Sequence, residues 1–132
     1  MNNNNKFINK FVKLCTIIEI HTRLQHWNTE SYALHKATDE LLESLLELQD
    51  KFVETYAGLY DIRPNLENFK VDDPVIQEYI YVKTDNLSDK YKLFRETLRK
   101  ICDEANLTSE LYNIKDELLG ELNKTIYLLR LK

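Results

Sequence analysis

The stretch HWNTESYALHKATDELLESLLELQDKFVETYAGLY, residues 26–60, decides the fold. Within it Leu34, Leu41, Leu45, Leu48, Phe52 and Leu59 recur at helical spacing, which predicts one long helix from about Tyr32 to Tyr60 with an apolar core stripe. Gly58 and Pro64 mark where that helix can end. Upstream, Asn28-Thr29-Glu30-Ser31 has no periodicity and is rich in capping side chains, with Ser31 placed as N-cap. It reads as a tight turn from a first helix over about Asn5–Asn28. There Phe7, Phe11, Leu14, Ile18, His21 and Gln25 keep a heptad-like period, with Leu24 beside the seam.

Working outward, Asp61 to Asp73 carries little periodicity and is longer than a hairpin needs. Fully stretched, it reaches about 45 Å, roughly the length of the helix before it. Asp73-Pro74 then gives an acidic N-cap followed by Pro in the first turn. The third helix is expected to carry Ile76, Ile80, Leu87, Tyr91, Phe94, Leu98 and Ile101. After a break at Asp103 to Leu107, Thr108 caps a last helix with Leu111, Ile114, Leu118, Leu122, Ile126 and Leu129. Gly120 inside it costs about 1 kcal/mol against Ala, for which a close helix contact is one reason to look. The expectation is a single all-α domain over residues 1–132: a ferritin-like four-helix bundle with a long crossover between helices 2 and 3. With only 2 Gly and 2 Pro in 132 residues, a β-sandwich or barrel is disfavoured.

One feature of residues 26–60 is not explained by a core. His35 and Asp39 lie one turn apart, as do Asp50 and Glu54. With His35 at zero on a helical wheel, Asp39, Asp50 and Glu54 fall near ~40°, ~60° and ~100°, and Leu42 and Leu46 lie between at about −20° and 20°. The core stripe lies to one side, so this helix has two sticky faces. Imidazole and carboxylate pairs along a helix suit iron or a similar metal, but these two pairs are about 16 Å apart along the axis. Pairing the helix antiparallel with its own copy resolves the mismatch. His35 and Glu54 share the midpoint 44.5 with Asp39 and Asp50, so a two-fold axis there sets His35 opposite Glu54 of the copy and Asp39 opposite its Asp50. Four scattered ligands become two identical clusters, the self-complementarity an isologous dimer requires. His26, across the short turn, reaches the cluster that holds His35. His21, five residues before His26 and turned about 140° from it, is read as a core or interface residue.

The signature His26-Trp27-Asn28, then His35-xxx-Asp39, then Asp50-xxx-Glu54 resembles the Dps branch of the ferritin superfamily. The resemblance is close over about a quarter of the chain, and helix order extends it to nearly all. It implies a hollow homododecamer built on homodimers at helix 2, oxidising Fe(II) with peroxide or oxygen at non-haem di-iron sites shared between two-fold-related subunits. His26, His35 and Asp39 would be the metal ligands and catalytic residues of one subunit, and Asp50 and Glu54 those of its neighbour. Trp27 would pack beside the site or anchor the interface. The sequence departs from the family in one place: His26 and His35 are nine positions apart, three fewer than usual. Short sequences with this compact turn also resemble proteins of large DNA viruses.

The function expected on this reading is a ferroxidase and iron-sequestering protein, with Asp116, Glu117 and Glu121 as further acidic candidates for nucleation or pore sites. The alternative is a non-catalytic helical oligomer, or a DNA-protecting structural protein. Net charge −4 argues against nucleic acid, and the ends offer only Lys6, Lys10, Lys13, Arg130 and Lys132 for phosphate contacts. No apolar run reaches the roughly 20 residues of a membrane span, and Met1 to Lys13 lacks the apolar core of a secretory signal, so a cytoplasmic location is expected. Cys15 and Cys102 each sit in an apolar helical pattern and read as buried, unpaired thiols.

Overall fold

Apolar stripes at helical spacing fold against one another in the computed structural model, which describes residues 3–65 and 86–131. Four helices follow in order: α1 (Asn3–Asn28), α2 (Tyr32–Tyr60), α3 (Leu87–Ala105) and α4 (Ser109–Leu129). No strand occurs among the described residues. The Asp73-Pro74 start, Ile76 and Ile80 lie outside them.

Each boundary has a local cause. Ser31 is extended at φ −89°, and its hydroxyl accepts from the Leu34 N–H at 3.2 Å, satisfying a donor the first turn leaves open. Asn86 caps α3 in the same way through the Ser88 N–H at 3.0 Å. Thr108 has the extended backbone of an N-cap but makes no side-chain capping hydrogen bond. The C-termini sharpen one expectation and correct another. α2 ends at Tyr60 as expected, but its stop is Asp61 in the left-handed region (φ 54°), not Gly58, with the Asp61 N–H donating to the Ala57 carbonyl at 2.8 Å. Likewise α3 runs on to Ala105 and stops on Asn106 (φ 55°). Asp and Asn tolerate this conformation because their short polar side chains bond locally, so an αL stop needs no glycine. Gly120 also differs from expectation: nothing lies within 4 Å of where its Cβ would be, so no close helix contact demands it.

The core is one contiguous cluster from all four helices, including Phe7, Phe11, Leu41, Leu45, Phe52, Phe94, Leu98, Leu111 and Leu122. Phe11 stacks on Phe52 at 4.0 Å between centroids, and Phe7 packs on Tyr56 at 5.5 Å, which fixes α1 antiparallel to α2. Leu59, placed in the core stripe by its spacing, is instead 42% exposed near the helix end. α2 packs on α1 and α4, and α3 on α4 and α1, the α1–α3 seam being the lightest. Lys124 of α4 reaches Glu40 of α2 at 3.5 Å, so those two helices are antiparallel. Tyr91 near the start of α3 bonds Thr22 near the end of α1 at 2.7 Å. Hence α3 begins at the end of the bundle where α2 begins, opposite the end where α2 stops. That is the expected up-down-down-up topology.

The α1–α3 seam holds unusual polar groups. Lys90 is 1% exposed and its Nζ has no hydrogen-bond partner among the described residues, lying 5.6 Å from the Phe94 ring centroid. His21 packs edge-on against Tyr91 and Phe94, and its Nε2 is buried and unpartnered. Burial, with Lys90 adding repulsion, lowers the His21 pKa from 6.5 to about 4. Burial also lowers that of Lys90. The cysteines are buried free thiols, as expected. Burial raises Cys15 far above the thiol range, while Cys102 is pushed up to about 12, so neither is a ready thiolate.

Two outcomes follow from the seam. The unfolded chain takes up a proton at His21 before the folded one does, so stability should fall as pH drops from about 6.5 toward 4. His21→Phe should flatten that part of the profile in urea titrations. Lys90→Met removes a buried unsatisfied donor and should raise stability by on the order of 1–2 kcal/mol, read from the thermal midpoint.

Candidate metal-binding site

The three-residue turn Thr29–Ser31 brings the end of α1 and the start of α2 together. It is tied by the Ser31 N–H donating to the Thr29 hydroxyl at 3.0 Å, and by the Asn28 amide donating to the Leu24 carbonyl at 2.7 Å. Across it His26 and His35 stack, with centroids 3.9 Å apart and planes 21° from parallel. Their backbone contacts are reciprocal. Nδ1 of His26 lies 3.0 Å from the His35 carbonyl, and Nδ1 of His35 lies 3.2 Å from the His26 carbonyl. A carbonyl can only accept, so each Nδ1 carries the proton and donates. In the neutral ring Nε2 then holds the lone pair, which is how a metal-binding histidine is commonly oriented by a carbonyl behind it.

Thr38 completes this arrangement and was not singled out from the sequence. It is fully buried, its Oγ1 lies 3.0 Å from His26 Nδ1, and it donates to the Leu34 and His35 carbonyls at 2.9 and 3.0 Å. Its signal was its place one turn after Leu34 and His35, on the edge of the core stripe facing α1.

Asp39 follows His35 by one turn and is exposed, as are Asp50 and Glu54 further along α2. The helix therefore turns Leu41, Leu45, Leu48 and Phe52 into the core and leaves the stripe His35, Asp39, Asp50, Glu54 outside, with Leu46 on it 43% exposed. A cleft of about 310 Å³ beside this stripe is lined by Val12, Leu46, Gln49, Asp50, Val53 and Pro64. Trp27 is 67% exposed next to the histidine pair and is not packed over it. Among the described residues, no group of three or more His, Cys, Asp or Glu converges within one chain. The structure thus brings His26 and His35 together and does not gather Asp39, Asp50 or Glu54 into a three-ligand group with them. A larger groove of about 660 Å³ lies elsewhere, between α1 and α3, over Leu14, Ile17 and Ile101. Asp116 is drawn toward Lys115 at 2.9 Å and Glu117 is exposed.

The donor set fits a transition metal: two imidazoles with Nδ1–H directed onto carbonyls, and carboxylates at helical spacing. The stacking constrains how it could be used. An ion bound in the plane of one ring lies well out of the plane of its stacked neighbour, so two nearly parallel rings do not share one ion with good geometry. Each imidazole is suited to its own ion.

Residues 26–129 match the model of a family described as a family of unknown function (DUF5856). The chain belongs to this family. The match begins at His26 and takes in all five candidate residues of the α1–α2 hairpin. No curated protein and no solved structure matches the chain. No helix among the described residues is long and apolar enough to cross a membrane.

The hydrogen bonding makes a spectroscopic prediction. Long-range proton–nitrogen spectra above the imidazole titration range should show His26 and His35 in the Nδ1–H form, against the Nε2–H form that free imidazole side chains favour. Thr38→Val should leave His35 unchanged and raise the Nε2–H population of His26.

Proposed function

We propose that this protein oxidises Fe(II) and sequesters the Fe(III) product, at sites completed between two copies of the chain related by a two-fold axis at residue 44.5 of α2. The observation that carries the reading is the pair His26 and His35, each held by a carbonyl on Nδ1 so that Nε2 is the free ligand nitrogen. Asp39 of the same chain would supply oxygen, and Asp50 and Glu54 of the second copy the remaining carboxylates. These hard oxygen donors suit both oxidation states, and imidazole keeps affinity for the ferrous ion. The resemblance of the His26-Trp27-Asn28, His35, Asp39, Asp50, Glu54 pattern to Dps proteins supports the same assignment.

In this scheme iron is the substrate. Stacked rings each serving one ion would hold two Fe(II) a few ångströms apart, the separation usual in two-metal sites. Each ion gives one electron, and peroxide takes both as its O–O bond breaks and two protons are taken up to form water. Paired delivery limits release of radicals. Molecular oxygen is the other candidate oxidant. Assembly into a dodecameric shell would supply a cavity for the mineral, and a cytoplasmic setting fits two unpaired thiols.

Anomalous diffraction at the iron edge, on crystals soaked anaerobically with Fe(II), tests the proposal. Iron should appear beside the Nε2 atoms of His26 and His35, with Asp50 and Glu54 arriving from a second copy. His35→Ala and Glu54→Gln should each lower iron-dependent peroxide consumption by about 10-fold or more, in the range that metal-ligand losses produce. No iron at the pair, together with unchanged peroxide consumption in both variants, would leave a non-catalytic helical oligomer as the better reading.

A further inference from the structure

We infer that Thr38 is a positioning residue for metal at His26 and not at His35, so that the two stacked imidazoles are unequal ligands that bind their ions independently. The inference rests on the metal-binding reading above and deepens it, by assigning the group that sets the strength of one of the two positions.

Thr38 is fully buried early in α2. Its hydroxyl has one proton, and that proton is committed, because Oγ1 donates to the Leu34 and His35 carbonyls at 2.9 and 3.0 Å. The 3.0 Å contact with His26 Nδ1 therefore uses an oxygen lone pair, with Nδ1–H as the donor. This fixes the His26 tautomer independently of the His35 carbonyl. The bond back along the helix is ordinary in this chain: Thr16 and Thr125 donate to the carbonyls of Val12 and Glu121 at 2.8 and 2.9 Å. What sets Thr38 apart from them is that it also accepts from an imidazole.

The result is a run of bonds from His26 Nδ1–H to the Thr38 hydroxyl and on to the Leu34 carbonyl, in which each bond polarises the next. His26 Nδ1 thus has two acceptors, the Thr38 hydroxyl and the His35 carbonyl. His35 Nδ1 has one among the described residues, the His26 carbonyl. The His35 residue is also exposed where His26 is half-buried. An acceptor behind Nδ1–H fixes the ring and raises the basicity of Nε2, which strengthens it as a ligand.

The two rings also differ in their neighbours. Asp39 follows His35 by one turn. One turn before His26 stand Thr22, bonded to Tyr91, and Arg23, paired with Glu19 at 3.1 Å. α1 ends two residues after His26, so this helix offers it no carboxylate one turn away. The hold of His26 on an ion rests on the ring itself, which is what Thr38 tunes.

Nitrogen spectra of the full chain with isotope-labelled histidine, titrated with Zn(II), test this; Zn(II) binds imidazole and has no redox chemistry. In the wild type both Nε2 resonances should respond. Thr38→Val, close in shape but without the hydroxyl, should weaken the binding read at His26 by about 10-fold and leave that at His35 within about twofold, the low end of what losing such a partner costs. Thr38→Ser should restore the His26 response. Circular dichroism checks the fold, and Thr38→Ala replaces Thr38→Val if the latter loses helix. Equal weakening at both rings, no weakening at His26, or no rescue by Thr38→Ser would overturn the positioning role and leave the metal-binding reading standing. No response of either ring to Zn(II) in the wild type would overturn both.

Discussion

The register between α1 and α2 is the constraint on which the other features depend. It is fixed at one end by Phe11 stacking on Phe52 at 4.0 Å, and at the other by a three-residue turn that stacks His26 on His35 at 3.9 Å. Aromatic rings buried against each other contribute both area and preferred geometry, so a slip by one helical turn would unpack the Phe7, Phe11, Phe52 and Tyr56 cluster. It would also part the two histidines. Core packing therefore sets the alignment that the reciprocal Nδ1–H to carbonyl bonds require.

That register divides α2 between two tasks. Helical bundles usually build metal sites from side chains that face inward, between helices. Here the inward face is filled by Leu41, Leu45, Leu48, Phe52 and Tyr56, and the carboxylates point to solvent. A ligand set on an outer face cannot be closed by the same bundle. If these carboxylates ligate a metal, a second surface must complete the site, which is what the proposed two-fold pairing would supply.

The bundle treats its polar groups in two contrasting ways. At the turn, His26 and His35 have their Nδ1 atoms satisfied by carbonyls, and Thr38 is fully bonded. Along the α1–α3 seam the Thr22–Tyr91 pair is matched, while His21 Nε2 and Lys90 Nζ are buried without hydrogen-bond partners among the described residues. The first arrangement is rigid and oriented. The second lowers the pKa of both groups, at the lightest of the four helix seams. The same imidazole chemistry has different consequences because one site supplies acceptors and the other supplies aromatic edges.

Much of this was legible in the amino-acid sequence. Periodicity located α2 at Tyr32–Tyr60, Ser31 as its cap, and the order of four helices, because helical spacing and capping are local properties. The common midpoint of His35, Asp39, Asp50 and Glu54 is likewise a matter of numbering and helical pitch alone. Where the sequence misled, a local rule met a competing solution: Gly58 and Gly120 suggested special geometry, while Asp61 and Asn106 supplied the αL stops. Only the tertiary structure decided that the short turn stacks His26 on His35 and protonates both at Nδ1, that Thr38 supports them, and that Lys90 is buried. These depend on where two helices approach each other, and side-chain direction across a turn is set by packing that no single segment encodes.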